Sequence, residues 1–337
     1  MAKTSSRIQK ILSAAEAHFG RKVDEVTTPG GEGRSSCRLH FGNVTVIATL
    51  RPNYRRAHLE AYALHRLAPH CDDAPKVLGV VDKVIFQSDV GSRRLNMEIA
   101  RCSQSRRIEL AEEAVGGIFR IQAAARAAGL EKEMPHLGVN DEWLDNLTGG
   151  LDALNNFSSV PADVVDLEAL RQLIATPARQ FVKWDCRSGN AAIGDDDKLR
   201  WFDFEYSGVR HGAEDLAWLI GDEAWPLRPD VMEDIVRQAF DPATGHTLDA
   251  YLDYLAAYTT LHCLQRFRLI LKEARKRGWL SKTKVRKFDD AGVHPEFAAH
   301  LCGVGAYFAG RNRLTSALVP YFEAAERAFK VMLKNAA

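Results

Sequence analysis

The hydrophobic residues of the first 90 positions follow two different periods. They recur at helical spacing over residues 7–19 and 56–68, which predicts a helix in each segment. A pair of short β-rich runs follows each of these segments, and Gly42-Asn43 is a hairpin signal inside the first pair. The predicted order after the first helix is therefore strand, strand, helix, strand, strand, which indicates a small antiparallel sheet.

From residue 106 onwards the hydrophobic pattern is mostly helical. Helices are predicted over roughly 106–127, 141–155, 163–175, 212–222, 228–239 and 247–277, with a further helical group over 295–334. The exception is a strand-like stretch from Phe181 that leads through a polar turn into a hairpin. We therefore predict an α+β chain with two lobes. Residues 1–90 form a small N-terminal lobe with an antiparallel sheet, and residues 91–337 form a larger, mainly helical C-terminal lobe.

The composition is that of an ordinary globular protein. The chain has 337 residues, of which 46% are hydrophobic and 26% charged, and this length favours two lobes over one compact core. The six cysteines include no C-x-x-C pair, which argues against a zinc site and a dense disulfide framework. No apolar run approaches the about 20 residues of a membrane-spanning helix, so we expect a soluble, cytoplasmic protein with no membrane partner.

The net charge of +1 conceals a strongly basic segment. Residues 266–287 contain ten Lys or Arg residues and one acid, Glu273, so they carry +9 and the remainder carries −8. A solvated helix face is the simplest explanation. The functional alternatives are a wall that attracts a phosphorylated or acidic substrate and a contact with nucleic acid, although nucleic acid is not expected to be a partner.

The polar pattern that carries most chemical information lies in residues 181–219. Asp185 begins a D-x-R-x-x-N sequence that ends at Asn190, and Asp203 follows a predicted hairpin within D-F-E. Phosphoryl transfer needs a carboxylate that orients a hydroxyl and accepts its proton, and further oxygen ligands that hold Mg²⁺ against nucleotide phosphates. This one segment supplies all three side chains.

These motifs, DCRSGN and FDFE with the downstream EDLAWL, resemble those of the aminoglycoside phosphotransferase and choline kinase-like family, small-molecule relatives of the protein kinases. The resemblance covers about residues 22–225 in order. It implies a bilobal protein kinase-like fold and an enzyme with ATP and Mg²⁺ as cofactors. Such an enzyme phosphorylates a hydroxyl of a small molecule such as an aminoglycoside, an amino alcohol or a sugar.

The resemblance also implies roles for individual residues of this segment. Asp185 matches the catalytic aspartate, and Asn190 and Asp203 match the metal ligands. Arg187 stands where the family commonly has histidine, and we predict that its cation balances charge on the transferred phosphoryl group. The alternative is that Arg187 pairs with a neighbouring carboxylate. Asp215 matches an aspartate that braces the catalytic loop, and a metal or supporting role is open for Glu205.

The resemblance also implies a nucleotide site in the N-terminal lobe, including a hinge at residues 87–90 whose backbone contacts the edge of the base. Its residues are Gly30, Gly31, Gly33 and Ser35 of a glycine-rich loop, Thr49, Arg51, Glu60, and Ser88 and Val90 of the hinge. Thr49 occupies the position of the family's phosphate-pairing lysine. Arg51 follows two residues later on the same face of the strand. The usual lysine–glutamate pair is therefore absent or rebuilt as Arg51 with Glu60.

The missing lysine leaves a second function class open. A nucleotide-binding, pseudokinase-like regulator with little turnover would also keep the metal ligands of this segment. No sequence pattern identifies the phosphate acceptor, the nucleotide base or an oligomeric state.

Overall fold

A five-stranded antiparallel sheet and two helices form the N-terminal part of the chain. The computed structural model describes residues 6–28, 34–161, 163–175 and 178–336. The N-terminal elements are α1 (Ser6–Phe19), β1 (Glu25–Thr27), β2 (Ser36–Phe41), β3 (Val44–Leu50), α2 (Tyr54–Leu67), β4 (Val77–Val81) and β5 (Val84–Ser88). The strands lie in the order β1-β2-β3-β5-β4. The predicted helices and both predicted hairpins are confirmed, and the short strand β1 is an addition.

Strand β3 separates a hydrophobic core from a polar cleft. Val46 and Ala48 are buried in a core that also contains Ile11 of α1 and Phe86 of β5. The alternate residues of the strand, including Thr49, point to the other face and line the cleft. This alternation of side chains positions the polar residues that follow in the site.

The C-terminal part is mainly helical. Its first elements are β6 (Arg93–Arg94), α3 (Leu95–Glu98), α4 (Gln104–Ala127), α5 (Leu130–Glu133), α6 (Asp141–Thr148), α7 (Leu167–Ala175), β7 (Gln180–Val182), β8 (Ala191–Ile193), β9 (Leu199–Trp201) and β10 (Gly208–Arg210). The remaining helices are α8 (Ala213–Ile220), α9 (Pro229–Ala239), α10 (Leu248–Arg277), α11 (Lys282–Phe288), α12 (Pro295–Ala309) and α13 (Val319–Ala336). No helix among the described residues is both long and apolar enough to cross a membrane.

Two predicted helices differ from the structure by more than two residues at one end. The helix expected over 141–155 ends as α-helix at Thr148 and continues as a 3-10 helix over Gly149–Asn156. Two successive glycines at this point, Gly149 and Gly150, lower the preference for the α-helical backbone. Helix α7 begins four residues later than predicted, at Leu167.

Two small antiparallel sheets hold the segment that carries the chemistry. Strand β7 pairs with β10, and β8 pairs with both β6 and β9. The loop between β7 and β8 and the loop after β9 therefore lie side by side. Beneath them, α4, α8, α10 and α12 contribute to one large hydrophobic core that also includes Leu64 of α2. The division of the chain at residue 90 stays a prediction.

Candidate active site

The loop between β7 and β8 has an unusual backbone that is held from outside. Trp184 and Asp185 have φ values of +57° and +48°, in the left-handed region that non-glycine residues rarely adopt. The Asp215 carboxylate, at the start of α8, accepts hydrogen bonds from the backbone N–H of Lys183 at 2.9 Å and of Trp184 at 2.7 Å. Strained backbone of this kind persists where the surroundings fix it, typically at functional sites.

The Asp185 carboxylate at the centre of this loop has two side-chain partners. Arg187 Nε donates to its Oδ1 at 2.9 Å, and Asn190 Nδ2 donates to its Oδ2 at 2.9 Å. Burial acts to raise the pKa of Asp185, but the charges of Arg187 and Lys183 outweigh it, and the pKa lies below its ordinary value. The carboxylate is therefore ionised at neutral pH and able to accept a proton.

Asp203 lies beside Asn190 because the two loops are joined by a backbone hydrogen bond. The N–H of Phe202 donates to the carbonyl oxygen of Asn190 at 2.9 Å, and Asn190 and Asp203 both line the same cleft. Asp203 has a φ of +68°. Its buried Oδ1 is in an ion pair with Arg51 but has no well-formed hydrogen bond from the described residues. An amide and a carboxylate of this kind fit Mg²⁺, which prefers oxygen ligands and takes its remaining ones from water and phosphates.

No cluster of three or more His, Cys, Asp or Glu side chains in the described part of the chain is arranged to hold a metal by itself. A site made of Asn190 and Asp203 therefore needs the oxygens of a nucleotide to be complete.

Arg51 binds three carboxylates at the floor of the cleft. Its Nε and Nη2 donate to Glu60 at 2.6 and 2.8 Å, Nη2 lies 2.6 Å from Asp203 Oδ1, and Nη1 lies 3.3 Å from Glu205 Oε1. Burial acts to lower the pKa of Arg51, but Glu60 and Asp203 outweigh it, and the pKa is raised. The ion pair anticipated between Arg51 and Glu60 is present in the structure. A nucleotide-binding role for it stays a prediction.

Glu60 is fully buried, and its carboxylate is surrounded by donors. Besides Arg51, its Oε1 accepts hydrogen bonds from Gln87 Nε2 and from the backbone N–H of Phe204, both at 3.1 Å. Helix α2 is therefore linked to both the hinge strand β5 and the D-F-E segment. Thr49 does not take part in this network, and its hydroxyl forms a 2.8 Å hydrogen bond with the Ser36 hydroxyl on β2.

The cleft has a volume of about 290 Å³ and lies between the sheet and the two loops. It is lined by most of the predicted nucleotide and metal residues, which are Ser35, Thr49, Arg51, Ser88, Val90, Asn190 and Asp203. Ile47, Ala192 and Phe202 add apolar walls. Gly30, Gly31 and Gly33 lie outside the described residues, so their predicted contact with phosphates stays a prediction.

Arg187 pairs with neighbouring carboxylates, which was the alternative role considered for it. In addition to Asp185, it binds Asp289, with Nη2 donating to Oδ2 at 3.2 Å. Its predicted role in balancing phosphoryl charge stays a prediction. Asp289 was missed by the sequence reasoning because it lies about a hundred residues away, directly after the basic helix α11.

Arg94 was also missed. It lines the cleft and donates from Nε to the carbonyl oxygen of Gly189 at 3.0 Å, within the loop between β7 and β8. Burial lowers the pKa of its guanidinium. The available signal was the pair Arg93-Arg94, which follows the hinge residues in the sequence. Two adjacent cations near a predicted phosphate site indicate that one of them could line that site.

Solved structures of small-molecule phosphotransferases share this architecture. A choline/ethanolamine kinase family protein from Mesorhizobium loti aligns over 90% of this chain and 99% of its own, with 16% identity and a TM-score of 0.52. A putative aminoglycoside phosphotransferase from Ralstonia eutropha aligns over 94% and 98%, with 15% identity and a TM-score of 0.55. The chain has the fold of these kinase-like phosphotransferases. The predicted α+β, bilobal fold is therefore confirmed.

A third structure with this fold is the macrolide 2′-phosphotransferase from Brachybacterium faecium. It aligns over 83% of this chain and 97% of its own, with 17% identity and a TM-score of 0.52. No family model matches the sequence, and neither does any curated protein. At these identities the likeness establishes the fold, and the chemistry of this chain has to be argued from its own side chains.

Proposed function

We propose that the protein is a small-molecule kinase that transfers the γ-phosphoryl group of ATP to a hydroxyl group. The observation that carries this proposal is the meeting of Asp185, Asn190 and Asp203 on two joined loops beside one cleft. An ionised carboxylate next to an amide and carboxylate pair is the set of groups that phosphoryl transfer needs. The fold supports the proposal, because the solved structures that share it carry the names of phosphotransferases.

Asp185 is the residue proposed to act on the acceptor. Its carboxylate would orient the attacking hydroxyl and accept the proton that this hydroxyl loses, as the new P–O bond forms and the bond between the γ-phosphorus and ADP breaks. The hydrogen bonds from Arg187 and Asn190 hold the carboxylate in one orientation. Arg187, 2.9 Å from Asp185, is close enough to balance charge that develops on the transferred group.

The cleft is proposed to hold the nucleotide. The backbone at Ser88 and Val90 would bind the edge of the base, and the apolar walls would cover its faces. Asn190 and Asp203 would hold Mg²⁺, which neutralises phosphate charge when it is bound. Arg51 is the cation of the N-terminal lobe that would meet the phosphates in place of the family's lysine.

One observation favours a regulator with little turnover as the second candidate. Arg51 is bound to Asp203 and Glu205, so the proposed metal ligand and the proposed phosphate ligand neutralise each other in this structure. A catalytic cycle requires Arg51 to release Asp203 when Mg²⁺ and nucleotide bind. A protein that binds nucleotide without this rearrangement would be inactive.

Magnesium is expected to strengthen ATP binding at least about tenfold. In Asp203→Asn the affinity for ATP is expected to be the same with and without Mg²⁺. Isothermal titration of wild type and variant with ATP, in Mg²⁺ and in EDTA, measures the effect. The reason is that the amide of the variant would lack the negative charge that holds the metal. Asp197→Asn is the matched control, because Asp197 also has a positive φ of 58° but lies at the exposed tip of the β8–β9 hairpin.

Equal ATP affinity with and without Mg²⁺ in the wild type would contradict the metal site. The kinase and the regulator are separated by ATP consumption in the presence of sugars, amino alcohols and aminoglycosides. Tight nucleotide binding with no consumption on any acceptor supports the regulator.

A further inference from the structure

A second pocket adjoins the proposed nucleotide cleft, on the side of the β7–β8 loop that carries Asp185 and Arg187. It has a volume of about 400 Å³ and shares Arg34 and Asp289 with the cleft. Its charged lining consists of Arg34, Arg187, Arg266, Asp289 and Asp290. The basic segment 266–287 therefore reaches the site through its first residue, Arg266, and most of its other cations lie elsewhere.

The two carboxylates of this pocket already have arginine partners. Asp290 accepts hydrogen bonds from Nη1 and Nη2 of Arg277 at 2.6 and 2.7 Å. Asp289 accepts one from Arg187 Nη2 at 3.2 Å. Neither acid is therefore an unpaired negative charge that would attract a cationic substrate.

The three arginines, by contrast, keep unused donors. Arg187 uses Nε and Nη2, and its Nη1 has no partner among the described residues. Arg266 uses Nε, which donates to the buried Glu223 at 2.7 Å, and neither of its terminal nitrogens has a partner there. Arg34 makes no hydrogen bond or ion pair with another residue of the described ranges. A guanidinium offers five N–H donors, so the pocket presents a surplus of cationic donors.

The position of the unused guanidinium donors indicates which group would bind to them. Arg187 lines the pocket, donates from Nε to Asp185 and from Nη2 to Asp289, and keeps Nη1 for another acceptor. A group bound there lies next to the carboxylate that is proposed to activate the hydroxyl. Guanidinium groups bind carboxylates and phosphates with charge-assisted, often bidentate hydrogen bonds.

We propose that this pocket binds the phosphate acceptor, and that the acceptor carries an oxyanion, a carboxylate or a phosphate, in addition to its hydroxyl. This inference rests on the proposed kinase function. It disfavours aminoglycosides and other polycationic alcohols, whose ammonium groups would face unused donors of the same charge. The other oxyanion that could reach these arginines is the γ-phosphate of the nucleotide, and the experiment separates the two.

The test is the binding of matched alcohols to the protein saturated with Mg²⁺ and ADP. The anionic members are gluconate, glycerate and glucose 6-phosphate, the neutral ones are glucitol, glycerol and glucose, and ethanolamine is the cationic alcohol. Isothermal titration is expected to show that at least one anionic alcohol binds about tenfold or more tightly than its neutral partner. Arg266→Gln is expected to remove this preference without changing the affinity for ADP or ATP. Arg34→Gln is also expected to reduce the preference, and because Arg34 lines the nucleotide cleft as well, its affinity for ADP is measured beside that for the alcohols.

Arg275→Gln is the matched control, because Arg275 lies on the same helix, is exposed and binds Asn156 away from the pocket. If Arg266→Gln unfolds because Glu223 loses its partner, Arg34→Gln at an exposed position replaces it, and the test is then whether its loss of affinity is larger for the anionic alcohol than for ADP. The proposal is overturned if no anionic alcohol binds, if neutral or cationic alcohols bind equally well, or if the variants weaken ATP binding and leave the preference for the anionic alcohol unchanged. Binding of an anionic alcohol that is never phosphorylated would contradict the kinase function and leave the oxyanion site standing.

Discussion

Replacement of Asp185 by Asn is expected to slow phosphoryl transfer by about 10³-fold, with little change in ATP affinity. The amide keeps the size of the side chain and can still accept the hydrogen bond from Arg187 Nε. It cannot take the proton of the attacking hydroxyl, because an amide oxygen is a very weak base. The measurement is the rate of ADP formation at saturating Mg·ATP and acceptor, together with ATP affinity by titration.

Asp197→Asn serves as the control for this variant. Both positions have aspartate in the left-handed backbone region, and Asp197 lies on a surface hairpin where it pairs with Arg93. Its replacement is expected to leave the rate unchanged. An Asp185→Asn protein that transfers phosphate as fast as the wild type would show that this carboxylate is not the base.

Replacement of Arg51 by Met is expected to lower the free energy of unfolding by about 3–5 kcal/mol at pH ~7. Methionine fills most of the same space but leaves the carboxylates of Glu60, Asp203 and Glu205 without their common cation. Removing one partner of a buried ion pair is costly because the remaining charge stays out of water. Urea denaturation measures the change.

The loss of stability in Arg51→Met is expected to shrink as the pH falls from ~7 to ~5. Burial already raises the pKa of Glu205, and the charge of Arg51 opposes the rise more strongly than that of Arg56. Without Arg51 the folded state has a Glu205 pKa that lies further above that of the unfolded chain. It then binds protons more readily, so acidification favours the folded variant relative to its stability at neutral pH.

Arg120→Met is the matched control for a surface ion pair. Arg120 binds Asp73 at 2.7 Å but is 55% exposed, so its loss is expected to cost about 1 kcal/mol or less. If Arg51→Met and Arg120→Met have equal effects, the network around Glu60 contributes no more than a surface contact.

Much of the fold could be predicted from the sequence because it depends on local signals. Hydrophobic periods defined the helices, and the D-x-R-x-x-N and D-F-E motifs flank a hairpin that brings Asp185, Asn190 and Asp203 together. The resemblance implied Glu60 as the acidic partner, and the period of the strand put Arg51 on the same face as Thr49, so a rebuilt Arg51–Glu60 pair was one of the two alternatives. The residues in each of these contacts are close in the sequence or lie on one regular element, so their spacing indicates which side chains can meet.

The remaining parts of the site depend on contacts between distant segments. Asp289 reaches Arg187 from the turn after α11, and Arg266 reaches the second pocket from the middle of a 30-residue helix. No local pattern distinguishes Arg266 from the other cations of the basic segment. Its surroundings, and in particular the buried partner Glu223, are set by the packing of α10 against α8.

Identification of the phosphorylated product is the decisive test of the proposed kinase function. The protein would be incubated with ATP and the anionic, neutral and cationic alcohols, in Mg²⁺ and in EDTA, and followed by ³¹P NMR. A new phosphate monoester signal is expected to appear together with ADP in Mg²⁺, and to be absent in EDTA and in Asp185→Asn. ATP that stays bound and intact with every alcohol, in wild type and Asp185→Asn alike, would contradict this function.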